Sequence, residues 1–525
     1  MYSVSKEMTL QSYQIVNPSE NQTDFKAGQI CRFTIPRQVG FFDAHLSKLQ
    51  FLCRTSGANY KMCFLSPKAG VASMIDMVRL SQNGRVISEI TEYATLQHFI
   101  KTYENTLSTA QLDALYKGCV DYTDLAATHG VAGSYNALFG QGLNRSGATG
   151  ATDMEQDVKF QLSLDFISLF EELHAVPMMA MGDILLEIRF AQRDTEIMKI
   201  MPQTIEDHPI DPALANPVPG ASTTFTMKPP FAGWTNLADS PFIKGMKLSF
   251  VDAAAVESAT QDYVIDAMSQ SQDGTITFTL DKAIVDEAGA QGAVAVKIKS
   301  GANGTTGVGT PELIVSQAQL QLQVVKPPDQ YVSDLARQVE GEGLMIDMAD
   351  YTTYRSTVLS AIKNQTVTIP TTQARAKAVF TVMRRGNQVP AFTLTNTSDF
   401  LLNGDYQNLL NYRTQINGEY YPNQPVDLKQ FIGDWHYSQE HLRELEKAFD
   451  SAGIPFRSVE SLKQNFVIGR ALSSYGSSTN LTATPINLYL EYNAATDPVA
   501  PIDTISFVHH SVRVAITPMG IEVMS

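Results

Sequence analysis

Alternation of apolar and polar residues with a period of two is the feature that most constrains the fold of this chain. In residues 157–166 the apolar residues occupy alternate positions: Val158, Phe160, Leu162, Leu164 and Phe166. The same pattern recurs in residues 184–190, 318–324 and 486–492. A strand with this pattern buries one face and exposes the other, as in antiparallel sheets that pack as sandwiches. The sequence therefore predicts a mostly β protein.

Helical periodicity is confined to four short segments. Tyr93, Leu96, Ile100 and Tyr103 share one helical face. A capping box opens a second helix over residues 108–118, a third follows Pro327-Pro328 and ends at Gly341, and a fourth runs from about Ser438 to Gly453. These helices do not alternate regularly with the strands, which disfavours a βαβ architecture.

The chain has 525 residues, 44% of them hydrophobic and 18% charged, so two or more globular domains are expected. The helix after Pro327-Pro328 divides the chain into two halves. Each half begins with short strands, contains a helical segment and ends with long strands of alternating apolar and polar residues. The first half is too long for one sandwich. Residues 208–309 begin in a Pro-rich connector and end in a Gly-rich one, which predicts a small β subdomain inserted into a loop.

Charge and cysteine content exclude several functional classes. A net charge of −15 repels phosphate backbones and disfavours direct, sequence-specific nucleic-acid binding. The four cysteines, Cys31, Cys53, Cys63 and Cys119, contain no CxxC pair, so we expect reduced thiols and no zinc site. The apolar stretch 175–182 is far too short to span a membrane, and the first residues lack a signal-peptide pattern.

Several segments, in their order and spacing, resemble double jelly-roll major capsid proteins. They are the strand and Pro-Pro hinge at residues 318–328, the restart at 343–346, and residues 167–190, 417–425 and 507–523. The likeness is greatest to the virophage and polinton-like virus branch of the lineage that includes tailless membrane-containing phages and adenovirus hexon. It extends over residues 25–523.

This resemblance implies an all-β fold of two eight-stranded jelly rolls in tandem, with a few short helices and a small inserted β subdomain. The implied domains are an N-terminal arm (1–24), a first jelly roll (25–326) with a tower-like insert (208–309), a linker helix (327–342) and a second jelly roll (343–525). The last strand lies close to residue 525, so we expect no cleaved C-terminal extension.

The function that the resemblance implies is that of a major capsid protein without enzymatic activity. Three chains would form a pseudo-hexagonal capsomer in the shell of an icosahedral DNA virus. The implied partners are further copies of the chain, neighbouring capsomers, and penton and minor capsid proteins. The implied location is the virion, after synthesis in the host cytoplasm or a virus factory.

A search for metal-binding motifs gives only weak candidates. His436, Glu440 and His441 are spaced differently from an inverse zinc-peptidase motif, and two histidines five residues apart lie about 140° around a helix. We interpret this segment as a solvated helix start. The adjacent His509 and His510 point to opposite faces of a predicted strand, and the apolar parity changes there, which indicates a bulge.

Catalytic and cofactor motifs are equally weak. The adjacent Glu171 and Glu172 diverge in direction, unlike the paired carboxylates of a glycosidase, and we assign them to solvent or a subunit contact. The glycines at 140, 142 and 147 lack the flanking strand and helix of a dinucleotide loop. The sequence therefore predicts no catalytic, cofactor-binding or metal-binding residues and no cofactor.

Two alternatives remain open at this stage. A secreted or surface carbohydrate-binding β-sandwich protein would have a signal peptide, disulfides and tryptophan-rich platforms, whereas this chain has two tryptophans, Trp234 and Trp435. A penton or fibre protein would have one jelly roll or a repetitive shaft, which does not match two distinct β halves.

Overall fold

The computed structural model of the chain describes residues 9–56, 63–65, 69–104, 158–191, 198–200, 208–209, 222–227, 247–299, 312–385, 402–428, 438–457, 465–493, 498 and 501–524. Within these ranges it omits residues 21, 174, 255, 259–262, 271–274, 286–289, 291–292, 403, 405, 407–408 and 474–476.

The strands in the described part are, in chain order, β1 (Thr9–Val16), β2 (Asp24–Phe25), β3 (Ile30–Ile35), β4 (Phe41–Ser56), β5 (Cys63–Leu65), β6 (Ile75–Gln82), β7 (Arg85–Thr91), β8 (Val158–Ser163), β9 (Ala175–Pro177), β10 (Ile184–Phe190), β11 (Met198–Ile200), β12 (His208–Pro209), β13 (Thr224–Met227), β14 (Lys247–Asp252), β15 (Tyr263–Gln270), β16 (Ile276–Leu280), β17 (Ala293–Lys299), β18 (Glu312–Lys326), β19 (Leu344–Val358), β20 (Asn364–Ile369), β21 (Ala376–Arg385), β22 (Leu409–Ile416), β23 (Glu419–Asp427), β24 (Val467–Ala471), β25 (Ile486–Tyr492), β26 (Ile502–Thr517) and β27 (Gly520–Met524). The α-helices are α1 (Tyr93–Glu104), α2 (Ser168–Glu172), α3 (Met178–Met181), α4 (Asp329–Gly341) and α5 (Gln439–Ala452).

Both halves of the chain have the same strand topology. The principal strands of the first half form the sheets β1-β18-β4-β8 and β3-β10-β6-β7. Those of the second half form β19-β26-β21-β24 and β20-β25-β22-β23. If the eight principal strands are numbered within each half, both halves have the orders 1-8-3-6 and 2-7-4-5. Two facing antiparallel sheets in this order form a jelly roll, so the predicted fold class of two tandem jelly rolls is confirmed.

A separate sheet interrupts the first roll between its last two principal strands, β10 and β18. Its order is β12-β17-β14-β15-β16-β13. The buried aromatic residues of this sheet pack against one another: the rings of Phe225 and Phe278 stack at 4.6 Å, and those of Phe250 and Tyr263 meet edge to face at 5.3 Å. These residues belong to neither apolar cluster of the rolls. The inserted β structure therefore has its own small core.

Three predicted helices are present. Helices α1 and α5 occupy equivalent positions, each between the fifth and sixth principal strand of its roll, and α4 joins the two rolls. The Ser438 hydroxyl caps α5 by accepting a hydrogen bond from the His441 backbone N–H at 3.3 Å, and Gly453 ends the helix with φ +75°. The helix predicted over residues 108–118 lies outside the described residues.

One apolar core spans both rolls. Phe99 on α1 of the first roll is fully buried, and its ring lies 5.3 Å from that of Phe380 and 5.7 Å from that of Phe507. A single cluster of buried residues continues from the first roll into the outer face of the sheet that contains β21 and β26. Helix α1 is therefore buried inside the junction of the two rolls.

The structure revises the predicted end of one strand and the predicted N-terminal arm. The strand predicted over residues 157–166 ends at Ser163, and Leu164–Phe166 form a 3₁₀ turn that turns Leu164 into the core. The residues predicted as an N-terminal arm include β1, which pairs antiparallel with β18 from Thr9 opposite Lys326 to Val16 opposite Leu320. In the part of the chain described, no helix has the length and apolar character to cross a membrane.

Candidate functional site

A buried ion network links the two rolls. Glu92, between β7 and α1, is 4% exposed and has the left-handed φ of +56°. Its carboxylate forms ion pairs with Arg355 of β19 and with Arg384 of β21, the latter at 3.5 Å. Arg384 also donates to the Thr95 hydroxyl at 3.1 Å. Because the loss of either partner would leave a buried charge uncompensated, this network fixes the second roll against α1.

A second buried carboxylate lies at the same junction. Asp350 of β19 accepts hydrogen bonds from the Ser88 hydroxyl at 2.9 Å and from the Tyr351 backbone N–H at 2.9 Å. Ser168 of α2 is a weaker donor at 3.5 Å. Burial raises the pKa of Asp350 to about 6, although these hydrogen bonds oppose the shift. This carboxyl therefore changes its charge in the mildly acidic range.

Two of the three predicted metal candidates, Glu440 and His441, lie in the described part of the chain, and each has its own protein partner. His436 lies outside the described residues, and the Glu440 carboxylate accepts a hydrogen bond from the Asp427 backbone N–H at 3.2 Å. His441 is buried, shares a hydrogen bond of 3.0 Å with the Tyr412 hydroxyl and stacks on Phe466. Burial lowers the pKa of His441 to about 3. The interpretation of a solvated helix start is wrong for His441, which is a packed core residue.

The two adjacent histidines also have structural surroundings. His509 is buried beside the Tyr351 ring, with centroids 4.9 Å apart, and burial lowers its pKa to about 3. His510 points to the other face and contacts the Thr352 hydroxyl at 2.9 Å, with a pKa lowered by burial to about 4. The predicted irregularity is on the partner strand, where the register of β21 shifts at residue 377. Both imidazoles are therefore neutral at pH 7.

The remaining candidates for which the structure describes a position are not assembled into a site. Glu171 and Glu172 are exposed on α2, and for Glu171 the surrounding protein and the Glu172 carboxylate raise the pKa to about 7. Cys31 and Cys53 are buried, and burial raises the pKa of the Cys31 thiol. Within the described ranges, no cluster of three or more His, Cys, Asp or Glu side chains is placed to bind a metal ion. The glycines at 140–147 lie outside those ranges.

The outer face of the sheet β3-β10-β6-β7 carries a row of alternating charges. Arg32, Glu187, Arg79 and Glu89 are register neighbours on successive strands. The guanidinium of Arg32 donates to Glu187 at 2.7 Å, and that of Arg79 lies 3.4 Å from Glu89. A sheet face with paired, partly exposed charges remains in contact with water at little cost.

The outer face of the other sheet of the first roll is less polar. Tyr13 and Ile15 on β1 and Leu46 on β4 are 49%, 55% and 45% exposed. Next to them a row of amides joins the strands, with Gln321 donating to Gln50 at 2.9 Å. The equivalent sheet in the second roll has this face covered by α1 and α5. We name Tyr13, Ile15 and Leu46 the β1 apolar surface.

Several solved structures are similar to this chain in fold. No family model matches the chain, and no curated protein matches it. Among solved structures, the Faustovirus major capsid protein aligns with a TM-score of 0.51 at 10% identity, covering 98% of this chain and 92% of that one. The PBCV-1 capsid protein (TM-score 0.46, 10% identity, 100% and 98% covered) and the mavirus major capsid protein (0.41, 10%, 100% and 92%) are also similar.

The chain has the double jelly-roll fold. The Faustovirus comparison extends this fold over nearly the whole chain, which agrees with the identical strand orders of the two halves. At 10% identity the likeness concerns the fold, and function has to be argued from the surfaces of this chain.

Proposed function

We propose that this protein is the major capsid protein of an icosahedral DNA virus and acts as a structural subunit without enzymatic activity. The observation that carries the proposal is the fusion of two rolls of identical topology through one apolar core, with Phe99 of the first roll buried against Phe380 and Phe507 of the second. One subunit with two similar rolls fills two of the six positions of a pseudo-hexagonal ring, so three subunits complete the ring. The Faustovirus protein with this fold is a major capsid protein.

The unit of assembly in this proposal is a homotrimer. In the second roll, the outer face of the sheet β19-β26-β21-β24 is covered by its own helix α5 and by the first roll of the same chain. In the first roll, the equivalent face presents the β1 apolar surface. A cyclic ring of three copies would cover this surface with the next copy and leave no unmatched face. Neighbouring capsomers, penton proteins and minor capsid proteins are the further partners.

The domains that we propose are those of the sequence analysis: an arm at 1–24, a first jelly roll at 25–326 with a tower at 208–309, a linker helix at 327–342 and a second jelly roll at 343–525. One boundary is revised, because β1 within residues 1–24 belongs to the first jelly roll. The location is the virion, after synthesis in the host cytoplasm or a virus factory. A carbohydrate-binding β-sandwich function is not favoured, because the Faustovirus protein that shares this fold over 98% of the chain is a capsid protein.

Light scattering of the purified chain tests the proposal. We expect about three times 57.6 kDa, with little change on dilution to micromolar concentration, because obligate interfaces bury upwards of roughly 2,000 Å². Negative-stain microscopy of the same sample should show hexagonal outlines. A folded monomer at every concentration would contradict the proposal.

A further inference from the structure

A cavity of about 370 Å³ opens at the junction of the two rolls. It lies between α4, the turn after α3 and the turn that joins β26 to β27. Its apolar wall consists chiefly of Val332, Leu335, Val339, Met179, Met181 and Met519. Met519 is 88% exposed, a high value for an apolar side chain next to other apolar residues. A cavity of this size and lining is suited to a ligand with apolar side chains.

The rim of the cavity is charged. Arg37, Asp183 and Glu340 surround the opening. Asp183 already accepts a hydrogen bond from the backbone N–H of Arg37 at 2.7 Å. A ligand that combines apolar side chains with one basic and one acidic group therefore complements both the wall and the rim.

We propose that residues 1–8 of the same chain bind in this cavity. Their sequence, MYSVSKEM, supplies the apolar side chains of Met1, Tyr2, Val4 and Met8. It also supplies Lys6 for the two acidic rim residues and Glu7 for the basic one. The segment thus has both kinds of group that the cavity lining requires.

The position of β1 directs this segment toward the cavity. Thr9 is opposite Lys326, three residues before α4 begins at Asp329. Because β1 runs antiparallel to β18, β1 begins at the end of the sheet where β18 leads into α4. Eight extended residues span up to about 26 Å, and the 13 residues of α4 span about 20 Å. The segment is therefore long enough to reach every part of the cavity wall on α4.

Binding of this segment would hold the helix that connects the rolls against both of them, since the cavity wall includes residues of the first roll, α4 and the last hairpin. The proposal does not depend on capsid assembly, because its ligand is a segment of the same chain.

Paired cysteine substitutions in the full chain test the proposal. In a Cys63→Ser, Cys119→Ser background, Val4→Cys is combined with Ala336→Cys, which lines the cavity. The control combines Val4→Cys with Arg337→Cys, one residue further along α4, with a side chain that is 81% exposed. Under mild oxidation we expect an intrachain disulfide in the 4–336 variant, detected by intact mass and migration as a single chain. We expect about tenfold less in the control.

The alternative outcomes are distinguishable. A disulfide between two chains on a non-reducing gel would assign the cavity to a second copy, and equal yields at 336 and 337 would mean that the segment is not bound. Either result overturns the proposal, as does the absence of any disulfide. Tryptic cleavage after Lys6 gives a second measurement. Ala336→Trp, which fills the cavity mouth, should accelerate this cleavage about tenfold or more, and an unchanged rate would also contradict the proposal.

Discussion

The side-chain Oε1 of Gln82 accepts a hydrogen bond from the backbone N–H of Ile521 at 2.6 Å, across 439 residues of sequence. Its Nε2 donates to the Met181 carbonyl oxygen. Gly182 and Gly520 leave room for this amide, since a Cβ at Gly520 would lie 2.8 Å from the Gln82 Oε1. One buried amide thus connects the fourth strand of the first roll to the last strand of the second.

Replacement of this amide should destabilise the protein. Gln82→Met keeps the volume but leaves the buried Ile521 N–H and Met181 carbonyl without a partner, which costs about 1–3 kcal/mol. The measurement is the urea midpoint of unfolding. Gln11→Met, at an exposed position on β1, is the control and should change the midpoint little. Equal midpoints for both variants would show that the amide is not important for stability.

Truncation of Phe99 should uncouple the two rolls. Phe99→Ala removes the ring between Phe380, Phe507 and Phe449, at a cost of about 3–5 kcal/mol. Because this ring contributes to the core that the two rolls share, we expect the joint calorimetric transition of the rolls to separate into two. Phe225→Ala in the inserted sheet is the control and should leave the joint transition intact. A single, uniformly shifted transition in Phe99→Ala would argue against coupling through this residue.

Much of the double jelly-roll fold could be predicted from strands that bury one face and expose the other. The bounds of β10 and β25 coincide with the alternating segments 184–190 and 486–492, because each strand exposes one face. The junction could not be predicted in the same way. In residues 376–383 apolar side chains occur at both parities, which indicates that both faces of β21 are buried. The pattern does not identify the covering elements, which are α5 and also α1, almost 300 residues earlier in the sequence.

The candidate sites show the same limit. The position of His441 on α5 follows from the helix pattern, which places the start of this helix at about Ser438. The environment of His441 comes from Tyr412 on β22 and from Phe466, which tertiary packing brings to the helix. Periodicity within a helix does not contain this information, so the solvated interpretation failed. No sequence pattern marks Glu92 or Asp350 as a buried carboxylate at the junction of the rolls, so the sequence analysis did not identify them.

The Asp350 carboxyl should make stability depend on pH. Its folded pKa of about 6 is raised above the ordinary value of 3.8, so the folded protein binds this proton more tightly than the unfolded chain. The resulting stabilisation is fully present below pH 3.8 and is lost as the pH rises through about 6. Its maximum is about 3 kcal/mol. Asp350→Asn should therefore unfold with a weaker pH dependence between about pH 4 and 7 than the parent.

Asp347 is the matched control for this titration. Hydrogen bonds from Arg513 lower the pKa of its carboxyl, so any stabilisation by Asp347 is present at neutral pH and is lost as the pH falls. Asp347→Asn should change the pH dependence in the opposite direction and by less, because the pair is partly exposed. If Asp350→Asn has the same pH profile as the parent, the carboxyl does not titrate in this range.

The inserted sheet should be dispensable for folding of the rolls. Its core of Phe225, Phe250, Tyr263 and Phe278 is separate from the core of the rolls. Replacement of residues 208–309 by a short Gly/Ser linker should leave soluble protein whose rolls melt within a few degrees of the parent. Phe250→Ala in the full chain is the comparison and should affect only the transition of the insert. Loss of soluble protein in the deletion variant would show that the rolls need these residues.

The β1 apolar surface should control assembly more than folding. Ile15 is 55% exposed in the single chain, so Ile15→Arg should change the unfolding free energy of an isolated subunit by no more than about 0.5 kcal/mol. In the proposed trimer the same position is covered by the next copy, where an unpaired guanidinium costs several kcal/mol, on the order of 3–5. We expect Ile15→Arg to be a folded monomer at micromolar concentration by light scattering. Val86→Arg, at the rim of the charged sheet and 38% exposed, is the control and should remain trimeric. If Ile15→Arg remains a trimer at every dilution, or if Val86→Arg is the variant that dissociates, the subunits meet through a different face of the first roll.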